Sequence, residues 1–346
     1  MKGSIGSRPW AGIDVGSFSV KLLATQGAAG AARVWTAESP LPPEPNGERN
    51  TTPEAVARAL SECMDQTGLT PRSFRGVTMG ISGVDVIVKQ ISLPLLEDNE
   101  VGPALRFEAR KHLPFDPQAM VIDFQILGRY LSEKRIDVLL AAVAHDHLDR
   151  HLAPLALLDM NVDVVDATPL ALTNAVALGR EHEPGAHALL DLGHTCSHLT
   201  LYQRGEPYFS RRLDYGGRNL TRAISERVRV PFEEAEEWKH AAGADSPTLQ
   251  VGWDQPEMRA MLDSLQRELA DEVRRSFAFY RTLGTLPDPL PLRISGGTVR
   301  LPGLAARLEE TLGVPVTVFH PPAAGNGARG PGPQFVQAWG LASRSA

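Results

Sequence analysis

A short stretch near the start of the chain combines residue types that suit phosphate chemistry. Within residues 12–23, Asp14 comes just before a Gly16-Ser17 turn and Lys21 follows it, with apolar residues on either side. Glycine allows a backbone to approach a ligand closely, and consecutive turn N–H groups beside a lysine form a concavity that suits phosphate. A carboxylate repels phosphate, so we expect Asp14 to order Mg²⁺, mostly through water, because Mg²⁺ keeps several of its waters.

A second stretch, residues 189–202, repeats this pattern. Apolar residues lead into Asp191 and Gly193, small polar residues follow, and the chain then continues as a second strand. Two such stretches in one chain indicate a duplicated fold whose two halves each provide a phosphate turn. Either stretch alone is more typical of an ordinary β-hairpin, but the two together, with Lys21 in place, favour a phosphate site.

The composition limits the classes of protein to which the chain can belong. Its 346 residues are too many for one compact core, so we expect two domains or two double-lobed halves. A net charge of −6 argues against general nucleic-acid binding, and two distant cysteines, Cys63 and Cys196, fit a reducing compartment. No stretch approaches the ~18 apolar residues of a membrane helix, and the start lacks the pattern of a signal peptide. These features predict a cytoplasmic protein with no nucleic-acid partner and no direct membrane span.

Apolar periodicity places helices and strands in alternation, which is typical of α/β layers. The predicted helices span residues 53–67, 97–113, 145–158, 169–178, 219–228, 232–242, 257–283, 303–312 and 335–343. The predicted strands outside the two hairpins span residues 77–81, 84–93, 121–127, 136–144, 162–165, 207–213, 292–295 and 314–319. Segments 39–53, 244–254 and 323–333 are interpreted as loops.

Further motifs follow in an order that resembles the actin-like ATPase superfamily. After the two Asp-x-Gly turns, in chain order, these are Gly216-Gly217, Glu236-x-x-Lys239 and Ser295-Gly296-Gly297. Within that superfamily the chain is most similar to the PilM family of type IV pilus assembly proteins, a resemblance that covers roughly residues 12–344. The motifs that carry it lie at residues 91–94, 108–115, 211–221, 233–239 and 340–342. Each motif is weak alone, and their joint order is specific.

The resemblance implies an α/β actin-like fold, which is a duplicated ribonuclease H-like architecture with two lobes, and an inserted subdomain of the FtsA type. It divides the chain into a first lobe (1–81 with 161–186), the inserted subdomain (82–160), a second lobe (187–217 with 284–346) and a helical subdomain (218–283). It also implies that ATP or ADP binds with Mg²⁺ in the cleft, where each lobe provides one phosphate hairpin.

The resemblance assigns roles to individual residues. Asp14 and Asp191 become the catalytic carboxylates that also order Mg²⁺. Glu236 and Lys239 project from one helix face and suit the ribose hydroxyls and the adenine edge, with a solvated ion pair as the alternative. The expected nucleotide-binding residues are Gly16, Ser17, Phe18, Ser19, Lys21, Gly193, Gly216, Gly217, Glu236, Lys239, Gly296 and Gly297.

Two positions depart from the pattern of the family. Phe18 stands in the first phosphate turn, where the family usually has a small polar residue, so a side-chain donor is lost and bulk is added. Related ATPases often place a carboxylate before the Pro-x-Ala of the crossing helix, but Thr168 stands there and the nearest acid is Asp166. A general base must lie within reach of the attacking water. We therefore expect nucleotide binding with slow or no hydrolysis, and a weak ATPase at most.

The resemblance also implies a partner. In the family this is the short cytoplasmic N-terminal peptide of PilN, an inner-membrane protein, so the chain would be a scaffold held at the inner face of that membrane. We expect a PilN-like peptide to bind between the first lobe and the inserted subdomain, beside Leu93-Pro94 and Leu113-Pro114-Phe115. The alternative is that these residues pack the subdomain core. Other pilus proteins, including the motor ATPases, and self-association are further candidate contacts.

Three other interpretations stay open. The first is an FtsA-like protein, since FtsA shares the inserted subdomain. The second is another ATPase or sugar kinase of the same superfold, because fold does not fix function. The third is a nucleotide-free adaptor of a type II secretion system, against which the presence of Asp14, Lys21, Asp191 and Lys239 argues.

Overall fold

A computed structural model gives the fold of the chain. It describes residues 8–27, 33–44, 47–111, 113, 116–177, 185–203, 205–242, 256–282, 290–323 and 330–344. The described strands form two sheets of five strands and one of three, and helices pack on their faces.

The first sheet is a three-strand meander joined to two parallel strands. In spatial order it contains β3 (Arg33–Pro40), β2 (Ser19–Gln26), β1 (Trp10–Val15), β4 (Gly76–Ile81) and β8 (Val164–Ala167). The first three strands are antiparallel, whereas β4 runs parallel to β1 and β8 runs parallel to β4. Helix α1 (Pro53–Thr67) packs on this sheet. The Thr52 side chain caps its start, and Gly68 ends it in the left-handed conformation.

Strand β3 is absent from the predicted strands, and it takes the first two residues of the predicted 39–53 loop. Only Ala37 and Ser39 of its eight side chains are buried. A half-exposed edge strand with few apolar residues carries little periodic signal, which is why the sequence pattern does not reveal it.

The second sheet repeats the topology of the first. Its spatial order is β11 (Glu206–Leu213), β10 (Ser197–Gln203), β9 (Ala186–Leu192), β12 (Leu292–Ser295) and β13 (Val316–Val318). Again three consecutive strands are antiparallel, and two later strands continue the sheet in parallel. The same order in both halves matches the duplication that the paired Asp-x-Gly stretches predict.

The third sheet has three antiparallel strands and its own apolar cluster. Its order is β5 (Val86–Pro94), β7 (Arg135–Ala144) and β6 (Met120–Tyr130), and α2 (Asp98–Ala109) packs against it. Helix α3 (His145–Ala156) returns the chain to the first sheet. The predicted 97–113 helix ends earlier, at Ala109, and residues 112, 114 and 115 lie outside the described residues.

Two crossing helices lie between the two larger sheets. These are α4 (Thr168–Ala177) and α9 (Val336–Ala342), and their apolar cluster reaches Leu23 on β2 and Leu189 on β9. A Cβ on Gly340 would lie 1.8 Å from the carbonyl oxygen of Ala171. Glycine at position 340 is therefore what allows the two helices to pack this closely.

The remaining helices belong to the second half of the chain. Helix α5 (Gly217–Val228) packs against α6 (Phe232–Ala242), while α7 (Pro256–Thr282) and α8 (Leu304–Leu312) pack on the second sheet. The predicted loop 244–254, residue 283 of the predicted 257–283 helix and most of the predicted 323–333 loop lie outside the described residues. None of the described helices is long and apolar enough to cross a membrane. The division into four subdomains stays a prediction.

Candidate functional site

A cavity of about 470 Å³ opens between the two hairpins. Its volume lies in the range typical of small-molecule sites. Asp14 and Asp191 line it together with ten of the twelve expected nucleotide-binding residues: Gly16, Ser17, Phe18, Ser19, Lys21, Gly193, Glu236, Lys239, Gly296 and Gly297.

The first hairpin carries a row of three charged side chains across its strands. Asp14 on β1 is paired in register with Lys21 on β2, and Lys21 with Glu38 on β3. Directly opposed residues share a sheet face, so Lys21 Nζ lies 3.7 Å from Asp14 Oδ2 and 3.9 Å from Glu38 Oε1. Ser19 completes the network, since Lys21 Nζ donates to its hydroxyl at 3.0 Å and that hydroxyl donates to Glu38 Oε1 at 2.7 Å.

Glu38 is a residue of the cavity wall that the sequence analysis missed. It lies on the strand that the periodicity does not reveal. If residues 33–40 are recognised as the third strand of a meander, the pairing register places Glu38 opposite Lys21. That register is the signal that could have found it.

The turns of the two hairpins face each other across the cavity. Thr195 Oγ1 in the second turn donates to Ser17 Oγ in the first at 2.9 Å. A backbone hydrogen bond closes each turn: Gly16 N–H donates to Ser19 O at 3.0 Å, and Gly193 N–H donates to Cys196 O at 3.1 Å. The two predicted phosphate turns therefore form neighbouring walls of one cavity.

The second hairpin carries a row of a different chemical kind. Asp191 on β9, His198 on β10 and Arg212 on β11 are paired in register. Ser295 on β12 lies beside Asp191 and donates its hydroxyl to Asp191 Oδ1 at 2.7 Å. Burial, together with the positive charge of Arg212, lowers the pKa of His198 to about 4, so this histidine is neutral at physiological pH.

Burial and neighbouring charges shift the pKa values of the three charged groups that face the cavity, Asp14, Lys21 and Asp191. Burial raises the pKa of Asp191 to about 6 against the Ser295 hydrogen bond, and the Asp14 carboxylate adds to the shift. Burial also raises the pKa of Asp14, although Lys21 opposes this. Burial alone would lower the pKa of Lys21, but Asp14, Glu38 and Asp191 raise it. Lys21 therefore stays charged, and burial disfavours the charged form of both Asp14 and Asp191, so a cation beside them would be stabilising.

Glu236 and Lys239 on α6 form a buried pair, so the solvated ion pair considered as the alternative is wrong. Lys239 Nζ lies 2.7 Å from both carboxylate oxygens of Glu236 and donates to Thr221 Oγ1 at 2.9 Å. Burial would raise the pKa of Glu236, but hydrogen bonds from His240 and Lys239 outweigh it and hold that pKa at about 2. Burial lowers the pKa of Lys239, although its ion pair with Glu236 opposes the shift.

Gly216 and Gly217 lie behind the cavity wall rather than on it. Gly217 N–H donates to Gly193 O at 2.9 Å, and Arg218 N–H donates to His194 O at 2.8 Å. A Cβ on Gly216 would lie 2.4 Å from His194 O. The start of α5 therefore supports the second turn, and glycine at position 216 allows that close approach.

Gly296 and Gly297 follow β12 and line the cavity. Gly296 has φ +94°, a left-handed conformation that favours glycine, and a Cβ on it would lie 2.4 Å from Leu192 O. Thr298 Oγ1 donates to Gly193 O at 2.8 Å, which ties this segment to the second turn.

Phe18 turns its ring toward the second half of the chain. The ring centroid lies 5.0 Å from that of His194 and 5.2 Å from that of His240. The guanidinium carbon of Arg49 lies 4.5 Å from the Phe18 ring centroid. The added bulk of Phe18 is thus accommodated in a cluster of rings that line the cavity.

The start of the crossing helix provides no acid to the cavity wall. Thr168 is buried and its hydroxyl donates to Ile81 O at 3.2 Å. Asp166 is buried as well, pairs with Arg344 at 2.8 Å and accepts a hydrogen bond from Asn174 at 3.2 Å. Among the described residues that line the cavity, neither Thr168 nor Asp166 is present.

Leu93 and Leu113, expected beside a partner groove, are buried in the apolar cluster of the third sheet. The alternative interpretation, packing within the subdomain core, is therefore correct for these two leucines. Pro114 and Phe115 lie outside the described residues.

Comparison with known proteins identifies the family. The family described as type IV pilus assembly protein PilM matches residues 12–345. The chain belongs to the PilM family. This confirms the resemblance that the order of the motifs indicates.

Solved structures confirm the actin-like fold of this PilM-family chain. It is 27% identical to a structure described as a PilM-PilN type IV pilus biogenesis complex, with a TM-score of 0.80 over 96% of this chain and 97% of the other. MreB 5 of Spiroplasma citri bound to AMPPNP is 14% identical, with a TM-score of 0.51 over 96% of this chain and 95% of the other. The second likeness shows the fold alone.

FtsA, considered as an alternative, shares a part of the sequence. The cell division protein FtsA of Staphylococcus epidermidis is 26% identical over 154 residues, which cover 42% of this chain and 32% of FtsA. The chain therefore spans about a third of the length of this relative, whereas the PilM family matches nearly all of the chain.

Proposed function

We propose that this PilM-family protein binds ATP or ADP with Mg²⁺ in the cavity between its two hairpins. The observation that carries the proposal is that Asp14 and Asp191, from equivalent positions of the two hairpins, line one cavity together with Lys21. Two carboxylates beside one space suit a hydrated Mg²⁺. A charged lysine beside two facing turns suits the phosphates.

The phosphate end of the proposed site is built from both hairpins. Backbone N–H groups of the turns at 16–19 and 193–196 and the ammonium of Lys21 hold the phosphates. Asp14 and Asp191 order Mg²⁺ through its waters. The cation also compensates the negative charge that burial makes unfavourable at Asp191.

The nucleoside end of the proposed site lies at α6. Glu236 and Lys239 contact the ribose hydroxyls and the adenine edge, and the backbone at Gly296-Gly297 passes close to the base. A carboxylate accepts up to about four hydrogen bonds, and Glu236 already receives Lys239 on both oxygens, Thr221 and His240. A ribose hydroxyl therefore replaces one of these partners.

Hydrolysis in this proposal is slow or absent. Thr168 is not a base, and Asp166 is neutralised by Arg344, 2.8 Å away. A general base must reach the attacking water directly or through one water.

We also propose that the protein is a cytoplasmic scaffold of the type IV pilus machine, recruited to the inner membrane by the N-terminal peptide of a PilN-like protein. The relative at 27% identity is described as a PilM-PilN complex. Of the ten large apolar side chains that the described residues expose, seven belong to residues 84–157: Val84, Leu95, Phe107, Val121, Tyr130, Leu131 and Leu157. Exposed apolar surface is where partners dock, and because most of these side chains belong to the inserted subdomain, we propose that the peptide docks there. Contacts with motor ATPases and self-association complete the proposed role.

Isothermal titration calorimetry tests the nucleotide proposal. Asp14→Ala should weaken Mg²⁺·ATP binding roughly 10- to 100-fold, the usual cost of losing a group that positions a metal through its waters. Asp65→Ala, on the exposed face of α1, is the matched control and should leave the affinity unchanged. Equal affinities for wild type and Asp14→Ala would refute the site.

Fluorescence anisotropy with a labelled PilN-type N-terminal peptide tests the partner proposal. We expect micromolar or tighter binding, weakened about tenfold or more by Phe107→Asp or Leu131→Asp. Phe279→Asp changes an exposed apolar side chain of the second half and should have no effect. Undiminished binding by the first two variants would move the partner surface elsewhere.

A further inference from the structure

Residues 41–42 and 47–50 lie against the first turn, which carries Phe18. Leu41 N–H donates to Phe18 O at 2.8 Å, and Arg49 Nη1 donates to Leu41 O at 3.3 Å. Asn50 N–H donates to Pro42 O at 2.8 Å, which folds the segment back on itself. Residues 47–49, here named the strap, are thereby fixed to the turn that carries Phe18.

The strap also reaches two helices of the second half, α5 and α6, of which α6 lines the cavity. Glu48 accepts a hydrogen bond from Arg218 on α5. Arg49 Nη2 lies 2.9 Å from Glu233 Oε2 on α6. A Cβ on Gly47, which has φ +77°, would lie 2.8 Å from the ring of Phe232, so glycine lets the strap lie against that ring.

The strap covers residues of the cavity wall. The Arg49 guanidinium carbon lies 4.5 Å from the Phe18 ring centroid, and that ring contacts His194 and His240. Cation–π and ring contacts of this kind add to the two ion pairs. Arg49 therefore joins the first turn, the second turn and α6 through one cluster.

The contact of the strap with α5 and α6 leaves some buried polar atoms without a hydrogen-bond partner. Within the part of the chain that the structure describes, Arg49 Nε, Arg218 Nε and Glu233 Oε1 are buried without a hydrogen-bond partner. Buried polar atoms without partners offset the gain from the ion pairs that they belong to. These unpaired atoms lower the net stability of the contact between the strap and the two helices.

We propose that the strap is a latch that holds the Phe18 side of the cavity against α5 and α6, and that its opening controls the rate at which nucleotide enters and leaves. The proposal rests on the proposed nucleotide binding. In it Arg49 and Glu48 are positioning residues that touch no part of the ligand. Closed, the strap holds α5 and α6 against the first turn, and opening separates them, as for other segments that gate release.

Stopped-flow fluorescence with mant-ADP and Mg²⁺ on the full chain tests the latch. Arg49→Ala and Glu233→Ala should each accelerate mant-ADP release about tenfold, because either change removes the ion pair that holds the strap on α6. The double variant should be no faster than the singles, since both break the same contact. Arg129→Ala, which removes an arginine paired with Asp98 in the inserted subdomain, is the matched control and should match wild type.

Release rates of Arg49→Ala and Glu233→Ala within twofold of wild type would overturn the latch while leaving nucleotide binding intact. If wild type binds no mant-ADP, the proposed function fails. Amide hydrogen exchange then tests independently whether Arg49 holds the strap in place. The Gly47 and Asn50 amides, which donate to Glu44 O and Pro42 O, should then be protected in wild type, and Arg49→Ala should lose that protection. Equal exchange in both proteins would overturn the latch as well. Partial restoration of slow release or of protection by the swap Arg49→Glu with Glu233→Arg would support it further.

Discussion

The two hairpins have the same backbone pattern but different charges. In the first, the row Asp14, Lys21, Glu38 places a cation between two carboxylates. In the second, the equivalent row Asp191, His198, Arg212 places a neutral imidazole between a carboxylate and a guanidinium. Lys21 and His198 both stand seven positions after their aspartate.

Because of this difference, the two halves contribute different groups to the proposed nucleotide site. The first half provides a cation that its own carboxylates hold in place, which suits phosphate. The second half provides Asp191, whose raised pKa of about 6 reports a buried carboxylate with insufficient compensation. A Mg²⁺ ion is the natural compensation for that charge. The duplication thus repeats the turn geometry while the flanking strands provide different chemistry.

Replacing the central residue of each row, Lys21 or His198, should give the largest difference between the two halves in nucleotide affinity. Lys21→Met should weaken Mg²⁺·ADP binding about 100-fold, because a charge-assisted contact to phosphate is lost. His198→Ala, the matched change in the second hairpin, should weaken it less than about threefold, since a neutral imidazole adds little charge. Calorimetry measures both affinities, and equal losses would contradict the unequal roles.

The two turn glycines should differ in their tolerance of a methyl group. A Cβ on Gly193 would lie 2.6 Å from Cys196 O, whereas one on Gly16 would lie 3.1 Å from Ser19 O. We expect Gly193→Ala to lower the free energy of unfolding by about 2 kcal/mol and Gly16→Ala by less than about 1 kcal/mol. Chemical denaturation measures both free energies of unfolding. A larger loss for Gly16→Ala than for Gly193→Ala would contradict the order that the Cβ distances predict.

The uncompensated carboxylate should make the ligand-free protein less stable at neutral pH. The pKa of Asp191 rises from its ordinary value of 3.8 to about 6, so the folded state favours the protonated form. Its stabilising contribution is complete below about pH 4 and is lost as the pH rises through about 6. Asp191→Asn mimics the protonated form and should raise the free energy of unfolding by roughly 1–2 kcal/mol at pH 7.5, with the gain vanishing toward pH 4. A destabilised Asp191→Asn at pH 7.5 would argue against the charge imbalance.

The smallest expected effect is the coupling between the two rows. Asp14 raises the pKa of Asp191 and Lys21 lowers it. Asp14→Asn should therefore lower the pKa of Asp191, and Lys21→Met should raise it, each by roughly half a unit to one unit. Carboxyl ¹³C NMR titration of the ligand-free variants follows this pKa. Shifts of the same sign in both variants would show that the two rows do not interact as described.

Local patterns in the sequence predict the two hairpins and the helix that carries Glu236 and Lys239. Those patterns rest on glycine turns, alternation and helical spacing, which act over a few residues. Glu38 escapes prediction because its strand is half exposed and lacks an apolar period. Leu93 and Leu113 are misplaced because an apolar residue beside proline reads equally as core or as surface.

The strap illustrates a second limit of prediction from sequence. Arg49 meets Glu233 across 184 positions, and Glu48 meets Arg218 across 170. Each is an ordinary charged side chain in its local sequence, and only the crossing of the two halves brings the pairs together. Contacts that depend on how two lobes face each other carry no local signal.

A crystal structure of the protein grown with Mg²⁺ and ADP tests the central claim most directly. The account predicts phosphates held between the turns at 16–19 and 193–196, with Lys21 on a phosphate oxygen. It also predicts Mg²⁺ whose waters contact Asp14 and Asp191, and the base beside Gly296-Gly297. Nucleotide bound at any other place, or a cavity without nucleotide at saturating concentration, would contradict the account.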